Sequence, residues 1–163
     1  MIRDRPLLLV DIDGVLNPHV SPNIVLPSPY TAYQVGGQRL WLAAMHGEWL
    51  HWLSELFDLA WATTWEADAN ELIGPIIGAP QALPTIQFDQ LDEHGWTWKL
   101  PAVQEFAGNR ALAWLDDEPG AGVDEWASTR REPTRLVKPN GYFGWMAAEY
   151  DELGTFARGI VPR

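Results

Sequence analysis

The feature that most limits the fold lies near the start of the chain, where Leu7-Leu8-Leu9-Val10 runs into Asp11-Ile12-Asp13-Gly14. A short unbroken apolar run ending in a charged turn suits a strand covered on both faces, as in a parallel sheet. Extended geometry sends alternate side chains to one side, so Asp11 and Asp13 face the same way. Gly14 permits the tight turn that holds them there. In open α/β sheets, ligands bind beyond the carboxyl ends of the strands, where both carboxylates fall. Two like charges so close repel and require a cation or a shared proton. The stretch predicts a metal-dependent phosphate site, weighed against a plain solvated acidic turn.

The remainder of the chain supplies partners for such a strand. Residues 18–29 read as loop, and 30–35 with 39–42, separated by Gly36-Gly37-Gln38, predict a small β-hairpin. Helical spacing of Trp49, Leu50, Leu53, Leu56 and Phe57 predicts a helix over 48–57. A second strand is expected over 59–63, a helix over 67–77 and a weaker third strand over 83–88. A helix over 98–106, with Pro101 in its first turn, precedes a fourth strand over 111–115. A helix or irregular turn over 123–128, a fifth strand over 135–137 and a helix over 145–157 complete the chain. Alternating strands and helices predict an α/β fold: a three-layer, Rossmann-like, doubly wound parallel sheet with a hairpin flap and no large cap domain.

Composition narrows the function classes. The 163 residues, 47% of them hydrophobic, suffice for one core, so residues 1–163 are read as a single domain. The absence of cysteine excludes disulfides and thiolate metal sites. No apolar run reaches membrane-spanning length and residues 1–6 do not resemble a signal peptide, so a cytoplasmic protein without membrane contact is expected. A net charge of -11 disfavours broad contact with nucleic acid. It does not exclude a phosphorylated small substrate, because a bound divalent cation reverses the local field. The ten tryptophans are dispersed and read as core or half-buried surface. The four histidines show no metal-ligand spacing, although His19 follows the first motif closely enough to approach substrate.

Four markers follow in order: Asp11-x-Asp13-Gly14 after the first strand, Thr63-Thr64 after the second, Lys99 at a later helix, and Asp116-Asp117 after the fourth strand. This set resembles the haloacid dehalogenase-like superfamily, whose members mostly transfer phosphoryl groups. The words around the strands are similar to those of the family's domains in bacterial RNA-repair proteins. The resemblance implies Asp11 as nucleophile, forming an aspartyl-phosphate, and Asp13 as general acid and then base. It implies Mg²⁺ held by the Asp11 carboxylate, the Asp13 carbonyl and Asp116, with Asp117 as a further ligand or an orienter. Thr63, or Thr64 if the strand ends one residue later, would bind a phosphoryl oxygen, with Gly14 in the substrate-binding turn. Lys99 would neutralise charge shared between Asp11 and the phosphoryl group. The expected function is thus a Mg²⁺-dependent phosphatase, monomer or homodimer, acting on a phosphorylated substrate of unknown identity. The alternatives are an RNA-repair phosphatase acting on nucleic-acid ends, disfavoured by net charge, and a non-catalytic phosphate- or partner-binding module.

Overall fold

The computed structural model describes residues 5–160; residues 1–4, most of the segment read above as no leader, and residues 161–163 lie outside it. Four strands form one parallel sheet in the order β4-β1-β5-β6: β1 (Leu7–Val10), β4 (Asp58–Trp61), β5 (Leu112–Leu115) and β6 (Thr134–Val137). A two-stranded antiparallel hairpin, β2 (Thr31–Val35) and β3 (Gln38–Leu42), stands apart from it. The architecture is α/β and compatible with a Rossmann-like fold, and no large cap interrupts the described residues.

Each residue of β1 is buried, and the strand pairs on both edges. Its alternation divides the core in two. Leu8 and Val10 join Leu50 and Leu53 of α1 (Ala44–Ser54), Ile77 of α2 (Gly74–Ile77) and Leu153 and Ala157 of α5 (Ala147–Ile160). Leu7 and Leu9 join Leu100, Val103 and Ala107 of α3 (Leu100–Ala107) and Val123 of α4 (Val123–Thr129). Burying each of these large aliphatic side chains contributes about 1.5–3 kcal/mol, which explains why an apolar run without alternation settles as the central strand. The hairpin packs Val35, Leu40 and Leu42 against the first of these clusters. Its turn is the two-residue Gly36-Gly37 with φ +56° and +79°, the left-handed pair that tight hairpins require.

One expected element is corrected and another is helical with an unexpected turn. The strand over 83–88 reduces to a single bridge, Trp61 with Thr85: Pro84 O accepts from Trp61 N–H, and Ile86 N–H donates to Trp61 O. Pro84 has no N–H to extend the ladder. The helix expected over 67–77 forms over those bounds, but its middle, Ala69–Ile73, is a π-helical turn that runs into the short α2. Pro75 cannot donate a helical bond, and the Gly74 N–H instead reaches back five residues to Ala69 O. Expected helix bounds elsewhere move by a few residues: α1 starts at Ala44 and α5 runs to Ile160. No described helix is long and apolar enough to cross a membrane.

Candidate metal and phosphate site

β4 and β5 flank β1 on opposite edges, so the strand order reverses between β1 and β5, the switch point beyond whose carboxyl ends ligands of open α/β sheets bind. The ladder continues one step past the strands: Asp11 N–H donates to Leu115 O at 3.0 Å, and Ala62 N–H to Val10 O at 2.8 Å. Asp11 and Asp116 thereby emerge side by side from neighbouring chain segments. Both are buried, with Asp116 1% exposed and Asp11 7%.

Lys99, just before α3, joins three chain segments at this end of the sheet. Its ammonium lies 3.0 Å from Asp11 Oδ2 and 2.7 Å from Asp116 Oδ2, and donates to Ala62 O at 3.3 Å. Burial disfavours its charge, but the two carboxylates outweigh burial and hold the ammonium above its ordinary range. Asp11 responds in the opposite sense. Burial first, then the negative charge of Asp116, push its carboxyl up to about 8, although Lys99 and the Ile12 N–H pull it back. That N–H donates to Asp11 Oδ1 at 2.8 Å, and Glu118 N–H donates to Asp116 Oδ1 at 2.9 Å.

Asp117 completes the cluster. One ligand oxygen from each of Asp11, Asp116 and Asp117 lies within 4.8 Å of the others, an arrangement that can hold a metal ion. Burial and Asp116 raise the Asp117 carboxyl above the usual range, while His19, whose Nε2 lies 3.3 Å from Asp117 Oδ2, opposes the rise. Two glycines make room for this side chain. A Cβ at Gly14, which has φ +77°, would overlap the Asp117 carboxyl group, and one at Gly141 would lie 2.5 Å from its Oδ2. Gly14 is favoured by its left-handed backbone, and a side chain there would also displace the Asp117 carboxyl group from this position.

Asp13 is not in the three-carboxylate cluster. Its Oδ1 accepts from Asn17 Nδ2 at 2.9 Å and its Oδ2 from Trp65 Nε1 at 3.0 Å. Thr63 is fully buried at the end of the β4 segment and its Oγ1 accepts the Trp65 N–H at 3.3 Å, while Thr64 is exposed. Sequence reasoning brought Asp11, Lys99, Asp116 and Asp117 to one place. It missed Asn17, Trp65 and Gly141, whose partners are distant in the chain or carry no motif. No family model matches the chain, and no curated protein matches it.

Proposed function

We propose that this protein is a Mg²⁺-dependent phosphohydrolase of phosphoric monoesters that works through an aspartyl-phosphate on Asp11. The observation that carries this reading is the Lys99 ammonium held between Asp11 and Asp116 with Asp117 alongside, at the carboxyl end of a parallel sheet. The order of the motifs, which resembles the haloacid dehalogenase-like superfamily, adds to it, as does a strand order compatible with a doubly wound sheet.

Three carboxylates against one ammonium leave an excess of two negative charges when all are ionised, which fits a divalent ion bound through oxygen ligands. Mg²⁺ bound there would draw charge from the phosphoryl oxygens. The remaining steps belong to this chain's own residues. An oxygen of Asp11 attacks phosphorus, the bond from phosphorus to the ester oxygen breaks, and Asp13 delivers its proton to that oxygen. Water then attacks phosphorus and gives a proton to Asp13. The Asp11–phosphorus bond breaks, releasing phosphate and restoring both carboxyl groups. Lys99 offsets charge on Asp11 and the phosphoryl group, and Thr63 offers its hydroxyl to a phosphoryl oxygen. The hairpin serves as a small flap beside Asp13.

Hydrolysis of p-nitrophenyl phosphate, with Mg²⁺ and with excess chelator, tests the reading. The expected result is turnover that needs the ion and falls by at least about 1,000-fold in Asp11→Asn. Full activity of Asp11→Asn, or equal turnover in chelator, would refute it. Phosphate binding without turnover of any ester would identify a non-catalytic module instead.

A further inference from the structure

Resting on the phosphohydrolase reading, we propose that Trp65 and Asn17 are positioning residues for the Asp13 carboxyl group, and that the hairpin holds both in place. The two oxygens of Asp13 are each taken by one N–H donor, Asn17 Nδ2 at 2.9 Å and Trp65 Nε1 at 3.0 Å. With both ends of the carboxyl group held, rotation about its Cβ–Cγ bond is stopped. Each oxygen keeps one further lone pair, which is where a transferable proton must sit. Both donors belong to neutral groups, and neither can take that proton.

The donors are themselves fixed from both sides. Asn17 lies in the turn after β1, where its backbone N–H donates to Ile12 O at 3.0 Å and its carbonyl accepts the Gly14 N–H at 2.8 Å. Its side-chain Oδ1 accepts the backbone N–H of Trp41, in β3, at 2.9 Å. Every polar atom of the Asn17 side chain is therefore committed to either Asp13 or the hairpin. Trp65 lies in the turn after the β4 segment. Its N–H donates to Thr63 Oγ1 at 3.3 Å, and the turn closes through Glu66 N–H to Thr63 O at 3.0 Å. Glu66 takes a left-handed φ of +47° there, and its Oε1 accepts the Phe88 N–H at 3.1 Å. A non-glycine residue in that region persists only where its surroundings determine it. The hairpin meets this side too, because the Cβ position of Gly36 in its turn lies 3.5 Å from the Trp65 ring. One end of the hairpin thus abuts one donor, and its β3 backbone engages the other.

A proton donor to the leaving oxygen matters most when that oxygen leaves poorly, and least when it is already stable as an anion. Mispositioning Asp13 should therefore steepen the dependence of kcat/KM on the leaving group. Loss of general stability, or of phosphate binding, lowers all esters alike. The experiment measures kcat/KM for nitrophenyl, phenyl and simple alkyl phosphates with Mg²⁺ in wild type, Trp65→Phe and Asn17→Ser. Trp65→Phe keeps the ring and removes the N–H. It is expected to lower kcat/KM by roughly 100-fold for the alkyl ester, and by a much smaller factor for the nitrophenyl ester. Asn17→Ser should move the slope the same way, and carries the test alone if Trp65→Phe does not fold. A parallel loss across the series would overturn the positioning role while leaving the phosphohydrolase reading intact. Failure of wild type to turn over any ester overturns that reading, and this inference with it.

Discussion

Lys99 shows how one residue decides the character of the site. Its ammonium stands between the buried carboxylates of Asp11 and Asp116, with only 10% of its side chain exposed. Removing one partner from a buried ionic group costs about 3–5 kcal/mol, because the charges left behind have neither water nor partner. Lys99→Met is therefore expected to lower the unfolding free energy by about that amount in chelator, read from denaturant midpoints. Excess Mg²⁺ should recover part of the loss, since a divalent ion supplies charge at the same carboxylates. A variant equally unstable with and without the ion would show that the three aspartates do not form a cation site. Lys99 was legible in the sequence because only two lysines occur and the other, Lys138, follows the last acidic motif. Asp11 and Asp116 were legible because each follows an apolar run directly, and Asp13 because it stands one residue beyond Asp11 ahead of a glycine. Trp65 was not: it is one of ten tryptophans, and its bond to Asp13 spans 52 residues.

At the scale of elements, local pattern located the strands of the sheet but not what proline and close packing do to the segments between them. The helix expected over 67–77 has the apolar spacing of a helix, yet Pro75 removes one donor and the chain widens into a π-helical turn. The apolar residues at 83, 86 and 88 suggest a strand, but Pro84 limits pairing to one bridge. A further contact invisible to periodicity joins α1 to α2. A Cβ at Gly47 would overlap the carbonyl of Ile77, and His51 Nε2 donates to Gly78 O at 2.8 Å one turn further along. Two effects of Gly47→Ala therefore oppose. Helix propensity favours alanine by about 1 kcal/mol. Overpacking against backbone, which cannot rotate away as a side chain can, costs about 1–3 kcal/mol or more. Because the obstructing atoms are main chain on an adjoining helix, the upper part of that range applies and the variant should be less stable than wild type. A rise in melting temperature would show that α1 can shift away from α2 at little cost.

Across the whole molecule, the site and the core impose opposite pH dependences on folding. His46 is buried in the core beside Trp145, its ring stacked at 5.3 Å and its Nε2–H donating to Trp145 O at 2.9 Å. Burial lowers its pKa to about 4 from 6.5, against the pull of that carbonyl. Between those values the unfolded chain binds the proton and the native one does not, so stability falls as pH drops. Asp11 runs the other way. Its folded value of about 8 lies above the ordinary 3.8, so the native state holds the proton and stability falls as pH rises through that interval. From about pH 4 to 6.5 the slopes of His46 and Asp11 oppose each other. Above 6.5 that of His46 is gone while that of Asp11 continues to about 8, and the raised carboxyl of Asp117 acts in the same sense as Asp11. In chelator, wild type should therefore vary little over the lower interval and lose stability over the upper one. Asp11→Asn removes the slope of Asp11 and exposes that of His46, so this variant should lose stability on acidification below pH 6.5 and decline less than wild type above it. Melting temperatures of the two proteins across this range, in one chelating buffer series, measure the difference directly. Mg²⁺ should abolish the decline of wild type on the alkaline side, since a cation bound by ionised carboxylates removes the advantage of holding the proton. Parallel curves for wild type and Asp11→Asn in chelator would mean that the carboxyl group of Asp11 ionises as readily in the folded protein as in the unfolded chain.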